Sequence, residues 1–214
     1  GTDVAPSDGD IIKAYKLFAD KDSVDISLIL TGSHNFNVLQ NIIDNVVDGG
    51  NLTDTEEHGI IVVPGRKDCV MFVSPPMDAV VNNKGNEVTS IFNWLNSINE
   101  YSNSGLDRFS SYIVMDSGWK KQYDKYNDTY RWIPLNADIA GLCARTDLTN
   151  ASWWSPAGLN RGTIKNVTQL SWNPTRQERD ELYQMGVNPV IQLTGVGPVL
   201  RSEEHTSELQ SRET

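Results

Sequence analysis

The chain has 214 residues, of which 38% are hydrophobic and 21% charged, and its formal net charge at pH 7 is -10. This length and composition indicate one large globular domain, or one domain and part of another, rather than a disordered chain. An acidic surface repels nucleic acid and anionic lipid, and no apolar run approaches the roughly 20 residues of a membrane helix. We therefore expect neither a nucleic-acid partner nor a membrane partner.

The first predicted elements form a helix–strand–helix unit. Asp8 or Asp10 can cap a helix over residues 11–20, where apolar side chains recur at helical spacing. The apolar, β-branched run at residues 24–32 predicts a strand that is covered on both faces. Asn35 then begins a second helix with one apolar face, and a Gly-Gly pair ends it.

The same alternation continues along the chain. Residues 69–74 predict a buried strand stopped by two prolines, whereas residues 59–63 leave strand or loop open. Residues 86–102 place their apolar side chains, Phe92 among them, on one face of a third helix, and residues 110–115 predict the next strand. The pattern predicts an α/β fold, with a mixed, largely parallel sheet flanked by helices.

After residue 147 the chain becomes rich in Asn, Gly and Trp and loses its helical periodicity. This shift predicts a boundary between an α/β core domain, residues 1–148, and the start of an α+β C-terminal domain, residues 149–200. Within the second part, Asn173 is placed to cap a short helix that Gly186 closes. Residues 187–200 then predict a strand, a turn and a further strand.

Neither end of the chain is expected to be a natural end of the protein. The sequence begins with Gly1 and without a signal pattern, which suggests a cut from a longer protein. Residues 201–214 change composition abruptly, and "RSEEHTSELQS" matches the in-frame translation of a common sequencing adapter. Without these residues the chain keeps 16 basic and 24 acidic residues, a net charge of -8, so its acidic character does not depend on them.

The cysteines and histidines give no signal for a metal or a cofactor. Cys69 and Cys143 lie in apolar, strand-like segments, which favours buried, reduced thiols and leaves a disulfide open. His34 and His58 have no partner at metal-ligand spacing, and we expect each in a solvated loop. The Gly-rich segments lack both nucleotide-binding patterns, so no cofactor is expected.

The triplet Asp116-Ser117-Gly118 follows an apolar run, as the catalytic aspartate of a viral aspartic protease does. Such enzymes are nearly all-β, and the predicted helices argue against one here. A subtilisin-like triad needs a histidine after the aspartate, and the chain offers only His205, in the tail. A protease using Asp116 is therefore kept only as an alternative.

Two groups of aromatic residues suggest binding sites. The first interleaves basic and aromatic side chains: Lys120, Lys121, Tyr123, Tyr126, Tyr130 and Trp132. It suits stacking on single-stranded nucleic acid, but the acidic net charge favours a half-buried aromatic strand or loop. The second, Trp153, Trp154 and Trp172, suits a carbohydrate-binding platform, although tryptophans beside a domain boundary more often pack the seam between domains.

Three blocks of the sequence, residues 123–147, 153–167 and 179–190, resemble blocks of the tail sheath proteins of contractile-tailed, T-even-like phages and follow in the same order. The chain therefore resembles that family. A weaker likeness upstream extends the resemblance over most of residues 8–200. The positions that carry the family motifs, and to which the resemblance assigns structural roles, are Asp116, Tyr123, Asp124, Tyr126, Asp128, Trp132, Pro134, Gly141, Arg145, Asp147, Trp154, Pro156, Gly158, Gly162, Tyr183, Asn188 and Pro189.

The resemblance implies a non-enzymatic virion protein in which Asp116 is scaffold. Six copies would form a ring, and stacked rings would form a sheath around the inner tail tube, in contact with the baseplate and the tail terminator. Subunit repacking, without a cofactor, would drive the tube through the host envelope after assembly in the bacterial cytoplasm. The family's large N-terminal part and its strand-donating arms are expected to lie outside this chain.

Overall fold

The computed structural model describes residues 6–54, 59–96, 106, 110–151 and 153–201. Its helices are α1 (Asp8–Lys16), α2 (Phe36–Ile42), α3 (Met77–Val80), α4 (Glu87–Leu95), α5 (Asn136–Thr149) and α6 (Arg176–Gln184), and a π-helical turn, Ile43–Val47, follows α2. Its strands are β1 (Leu28–Leu30), β2 (Gly49–Asp54), β3 (Gly59–Pro64), β4 (Val70–Val73), β5 (Ile113–Asp116), β6 (Trp119–Asp124), β7 (Thr129–Pro134), β8 (Gln169–Leu170), β9 (Val187–Asn188), β10 (Val190–Leu193) and β11 (Gly197–Leu200). Within this part of the chain, no helix is long and apolar enough to cross a membrane.

Four strands form one parallel sheet in the order β1–β4–β5–β9. Its register places Ile29 beside Met71 and Met115 beside Val187. Helices lie in the connections between these strands, as parallel crossovers require. The predicted α/β fold with a largely parallel sheet flanked by helices is confirmed.

Alternate side chains of the sheet enter two hydrophobic clusters. Met71 and Val73 of β4 belong to a cluster that also takes side chains from α2, α4 and α6. Phe72, which lies between them, joins a second cluster built on α5. Because side chains alternate across a strand, the two clusters lie on opposite faces of the sheet, and this explains why its strands are apolar at nearly every position.

Three antiparallel units surround the parallel sheet. β2 pairs with β3, β6 pairs with both β7 and β8, and β10 pairs with β11. Residues 59–63, which the sequence left open, therefore form a strand.

Several predicted boundaries need correction. Helix α1 is capped by Ser7, whose hydroxyl accepts from the Asp10 amide at 3.3 Å, and not by Asp8 or Asp10. Only Leu28–Leu30 of the predicted strand 24–32 pairs with β4. The cap at Asn35 is confirmed, because its side-chain oxygen accepts from the Val38 amide at 3.0 Å.

The later helices also differ from their predictions. Helix α4 ends at Leu95 and leaves Phe92 51% exposed, while residues 97–102 of the predicted helix lie outside the described part. Helix α6 is capped by Thr175, which forms a capping box with Glu178, and not by Asn173. Instead, Asn173 pairs with strand β10, where its side chain contacts both the amide and the carbonyl of Gln192.

Helix α5 was missed by the sequence analysis, which placed Cys143 in a strand-like setting. Cys143 lies within this helix, partly buried, and Cys69 is fully buried beside β4. Both thiols are free. Polar residues interrupt the apolar face of α5, so its periodicity is weak in sequence even though Leu135, Ile139 and Leu142 are buried.

The predicted domain boundary after residue 148 falls inside a shared core. The second hydrophobic cluster joins α5 to Ala157, Ile164 and Leu200, and β9 adds to the parallel sheet. The division into two domains stays a prediction. If it is correct, the two domains share this hydrophobic cluster. The predicted adapter-derived tail lies, after Arg201, outside the described residues.

Candidate functional site

The carboxyl ends of the parallel strands gather a buried group of polar side chains. Thr31 follows β1, Ser74 follows β4, Asp116 ends β5, and Asn136 begins α5. We call these four residues the carboxyl-end cluster. In open α/β sheets this edge is where ligands and active sites are usually found, so it is the first place to test for catalysis.

Hydrogen bonds within the carboxyl-end cluster connect three strands to α5. The Ser74 hydroxyl donates to Asp116 Oδ2 at 2.6 Å and accepts from the Asn136 amide at 2.9 Å. Asn136 Nδ2 donates to the Gly32 carbonyl at 2.7 Å, and the Thr31 hydroxyl donates to the Phe72 carbonyl at 2.8 Å. These bonds fix the strand ends against the helix.

The Asp116 side chain is closed off from solvent. The residue is 2% exposed, and its Oδ1 accepts from the Gly118 amide at 2.9 Å. Ser117 is equally buried, and its hydroxyl accepts from the Val190 amide at 2.9 Å. An aspartic protease of the dimeric kind must bring a second carboxylate and a substrate to its aspartate, and neither can reach this one. The protease alternative gets no support from this geometry, which fits the structural role predicted for Asp116.

Burial raises the pKa of Asp116 from its ordinary 3.8 to about 7, although hydrogen bonds from Ser74 and Gly118 oppose the rise. The folded chain therefore holds a proton that the unfolded chain releases between about pH 4 and pH 7. Stability falls as pH rises through this window, because the unfolded state binds fewer protons there than the folded state does. The unfolding free energy falls by at most about 4 kcal/mol across this window, at 1.36 kcal/mol for each unit by which the pKa is raised.

We expect Asp116→Asn, which has nearly the same shape and cannot ionise, to remove this contribution to the pH dependence. Relative to the parent, the variant should become more stable as the pH rises from 4 to 7, because only the parent loses stability through Asp116. Urea unfolding of both proteins across this range measures it, since all other carboxylates are common to the two. Parallel pH profiles, or a peptidase activity that the variant loses, would contradict the buried structural role.

The described residues contain no group of three or more His, Cys, Asp or Glu side chains placed to hold a metal ion. His58 and His205 lie outside those residues, and His34 is half-buried, its ring packing edge-on against Tyr15 with centroids 5.9 Å apart. His34 therefore lies in a loop, as predicted, but its ring is only partly solvated. Burial, together with the nearby Asp147, raises the pKa of the Cys143 thiol to about 11, and burial also raises that of Cys69. Few thiolates form at neutral pH, so both cysteines are poor nucleophiles.

The aromatic segment of the sequence forms the β6–β7 hairpin. Tyr123 lies opposite Tyr130 with ring centroids 5.3 Å apart, and Lys121 Nζ lies 5.8 Å from the ring centroids of both Tyr130 and Trp132. Trp132 packs on the first cluster, whereas Tyr126 at the turn is 87% exposed. The predicted aromatic strand is confirmed, but its tyrosines are more exposed than expected.

Aspartates shape the turn of this hairpin. Asp124 accepts from the Tyr126 amide at 3.0 Å and pairs with Arg131 at 2.9 Å. Asp128, at φ 49°, accepts from the Tyr123 hydroxyl at 2.6 Å. The family-motif positions in this block therefore stabilise a tight, tyrosine-bearing turn.

Trp153 and Trp154 do not pack a seam between domains, because they are 84% and 46% exposed. The Arg161 guanidinium lies 4.8 Å from the Trp154 ring centroid and covers one face of that ring. The buried tryptophan of this region is Trp119, and Trp172 is half-buried, with its indole N–H donating to the Ser117 carbonyl at 2.8 Å. The seam prediction was therefore wrong about which tryptophans are buried.

Two glycines hold the loop after α5 against β11. The Gly158 amide donates to the Leu200 carbonyl at 2.9 Å, and the Leu200 amide donates to the Gly162 carbonyl at 2.8 Å. A Cβ on Gly162 would lie 2.7 Å from the Gly158 nitrogen, so only glycine fits. Arg145 on α5 donates to the Arg161 carbonyl and ties the loop to the helix.

The remaining motif positions are spread over several elements. Trp132 and Pro134 lie on β7, Gly141 and Asp147 on α5, Pro156 in the loop after α5, Tyr183 on α6, and Asn188 and Pro189 at the end of β9. Asn188 Nδ2 donates to the Met115 carbonyl at 3.1 Å and so helps to hold β9 beside β5. The motif positions do not converge on one pocket.

Arg66 is a buried residue that the sequence analysis missed. Its guanidinium makes two hydrogen bonds with Asp68, at 2.7 and 3.0 Å, and donates to the carbonyls of Phe18 and Val24 at 3.1 and 2.7 Å. A fifth contact reaches the Ile26 carbonyl at 3.4 Å. The charged segment Arg66-Lys67-Asp68 is typical of an exposed turn, so no signal in the sequence indicated burial.

Comparison with known proteins identifies sequence relatives. The family described as "Phage tail sheath protein central domain" matches residues 55–201. The chain is 38% identical over 204 residues to the tail sheath protein of Enterobacteria phage T4, covering 95% of the chain and 29% of that protein. It is 45% identical over 151 residues to the tail sheath protein of Vibrio phage KVP40, covering 68% of the chain and 22% of that protein. The chain thus spans less than a third of the length of either relative.

Solved structures share the fold. The helical sheath of the anti-feeding prophage in its contracted state matches with a TM-score of 0.53 and 15% identity, covering 92% of the chain and 43% of the other protein. A chain of the anti-feeding prophage baseplate matches with a TM-score of 0.52 and 14% identity, covering 94% of the chain and 50% of the other protein. At these identities the likeness extends to the fold alone.

Proposed function

Because the chain belongs to the phage tail sheath protein family, and its matching curated relatives are named tail sheath proteins, we propose that it is part of a contractile sheath subunit. Copies of the subunit polymerise as stacked hexameric rings around an inner tail tube. On a signal from the baseplate, the rings repack and drive the tube through the host envelope. The observation that carries this proposal is the family match across residues 55–201.

The closed carboxyl-end cluster is consistent with a mechanical role. Repacking transmits force only through domains that keep their shape, and this cluster joins three strands to α5 through buried hydrogen bonds. The free energy comes from changes in the contacts between subunits, so no nucleotide or other cofactor is required.

The proposal places the subunit in the virion tail, after assembly in the bacterial cytoplasm. Its partners are other copies of itself, the tail tube protein, the baseplate and the tail terminator, without nucleic acid or a membrane. The division into a core domain, residues 1–148, and the start of a C-terminal domain, residues 149–200, belongs to the same proposal. So do structural roles for the motif positions, such as the packing of Gly158 and Gly162 against β11.

Self-association without nucleotide tests this function. Because the chain spans less than a third of its relatives, we expect sedimentation velocity to show weak association that increases with protein concentration, without closed rings or tubes, and addition of ATP to change nothing. A sheath subunit must contact other copies through several surfaces, and each contact contributes to association. A single monomeric boundary at every concentration, or association that requires a nucleotide, would contradict the proposal.

A further inference from the structure

The charges of the chain are divided unevenly between two regions. Residues 6–48 carry seven aspartates and three lysines. The β6–β7 hairpin, residues 119–134, carries four basic and two acidic residues, and residues 148–177 carry three basic residues and no acidic residue. A chain with a net charge of -10 therefore has a positively charged region as well as an acidic one.

The positive region contains an open groove of about 610 Å³ between the β6–β7 hairpin and residues 166–168. We call it the hairpin groove. Strand β8 pairs only with Lys120 and Lys121, so within the described residues no strand lies beside the outer half of β6 on the side away from β7, and the groove occupies that space. Tyr123, Tyr126, Lys125 and Arg131 line it, together with Asp124, which pairs with Arg131 at 2.9 Å. Tyrosine and arginine are enriched at protein interfaces.

The acidic region presents a complementary surface, the loop between α1 and β1. In this loop, residues 17–25, Leu17 is 74% exposed and Phe18 is 38% exposed. The same loop carries three exposed aspartates, Asp20, Asp22 and Asp25, and one exposed lysine, Lys21. We call this segment the acidic loop.

The backbone of the acidic loop is held in place before any partner binds. Arg66 donates to the carbonyls of Phe18 and Val24, near the two ends of the loop. Asp20 accepts from the Asp22 amide at 3.0 Å and from the Ser23 hydroxyl at 2.5 Å. A preorganised loop loses little conformational entropy on binding, which favours a role in recognition.

We propose that the acidic loop of one copy docks in the hairpin groove of a second copy, with Leu17 and Phe18 against the tyrosines and the aspartates beside Lys125 and Arg131. The proposal rests on the self-assembly proposed above and names one of its contacts. Because the two surfaces differ, the contact is heterologous and can repeat from subunit to subunit. A contact between two grooves would instead bring like charges together.

Disulfide trapping between two variants tests this pairing. Tyr126→Cys places a thiol at the groove, Asp22→Cys places one on the acidic loop, and the two proteins are mixed under mild oxidation. The native cysteines interfere little, since Cys69 is buried and the pKa of Cys143 is raised to about 11. We expect the mixed dimer to form about tenfold faster than a control pair, equivalent to a preference of about 1.4 kcal/mol.

The control pairs Asp22→Cys with Lys84→Cys, an exposed position in the turn before α4. Adding Lys125→Glu to the Tyr126→Cys protein should slow its reaction toward the control rate. The proposal is overturned if the mixed dimer forms no faster than the control, or if Tyr126→Cys links to itself equally fast. It is also overturned if oligothymidylate at physiological salt protects Tyr126→Cys, which would assign the groove to nucleic acid.

The same samples separate this pairing from the proposed function. If the unmodified chain associates in sedimentation but the preferred cross-link does not form, only the pairing fails. If the chain neither associates nor forms the cross-link, both proposals fail.

Discussion

Arg66→Met is expected to lower the free energy of unfolding by about 3 kcal/mol, because it leaves buried carbonyl groups without a donor, whereas the ion pair with Asp68, whose side chain is 47% exposed, contributes at most about 1 kcal/mol. Methionine fills a similar volume but has no donors. The carbonyls of Phe18, Val24 and Ile26 would lose the guanidinium at the centre of a region where Arg66 is 1% exposed. Each buried acceptor left without a donor costs about 1 to 3 kcal/mol.

Urea unfolding followed by tryptophan fluorescence measures this loss, and Lys67→Met provides the matched control. Lys67 is the exposed neighbour of Arg66, so its replacement should change stability by no more than about 0.5 kcal/mol. Equal midpoints for Arg66→Met and the parent would show that the guanidinium is hydrated and that the acidic loop is not anchored by it.

The second large effect is expected for Trp119→Ala, at about 3 to 5 kcal/mol of lost stability. Trp119 is 5% exposed within the first hydrophobic cluster, and its indole N–H donates to the Pro75 carbonyl at 2.7 Å. The substitution removes a large buried ring and also leaves the Pro75 carbonyl without this donor. Both losses act at the point where the chain leaves β5 of the parallel sheet and begins β6.

Two further variants separate these contributions. Trp153→Ala removes a side chain that is 84% exposed and should change stability by about 0.5 kcal/mol or less. Trp119→Phe keeps a ring but loses the donor, and we expect an intermediate loss of about 1 to 3 kcal/mol. If Trp153→Ala proves as destabilising as Trp119→Ala in urea unfolding, the assignment of the buried tryptophan is wrong.

The apolar pattern of the sequence was sufficient for the α/β class and for several elements. The one-faced helix after Asn35, the buried strand β4 and the hairpin formed by β10 and β11 depend on local signals: a capping side chain, a continuous apolar run, and glycines at a turn. The family resemblance likewise depends on residue identities in order along the chain. These features need no knowledge of distant contacts.

Helix boundaries and burial depended on contacts that are distant in sequence. Asn173 and Thr175 are both good caps, and the choice of Thr175 leaves Asn173 to pair with Gln192 of β10. Helix α5 has a weak apolar periodicity, and packing against Phe72 and neighbouring side chains stabilises it. Local preferences of nearly equal strength are decided by tertiary packing.

The sequence by itself determined that Asp116 ends a strand and begins a turn, and the resemblance implied that it is scaffold. Only the tertiary structure decided that its carboxyl is buried beside Ser74, a residue 42 positions earlier, and so cannot reach a substrate. In the same way, tertiary packing buried Arg66 and Trp119 while leaving Trp153 in solvent. The physical reason is that burial and hydrogen-bond satisfaction depend on which segments meet in space, whereas composition and periodicity report only what each segment favours alone.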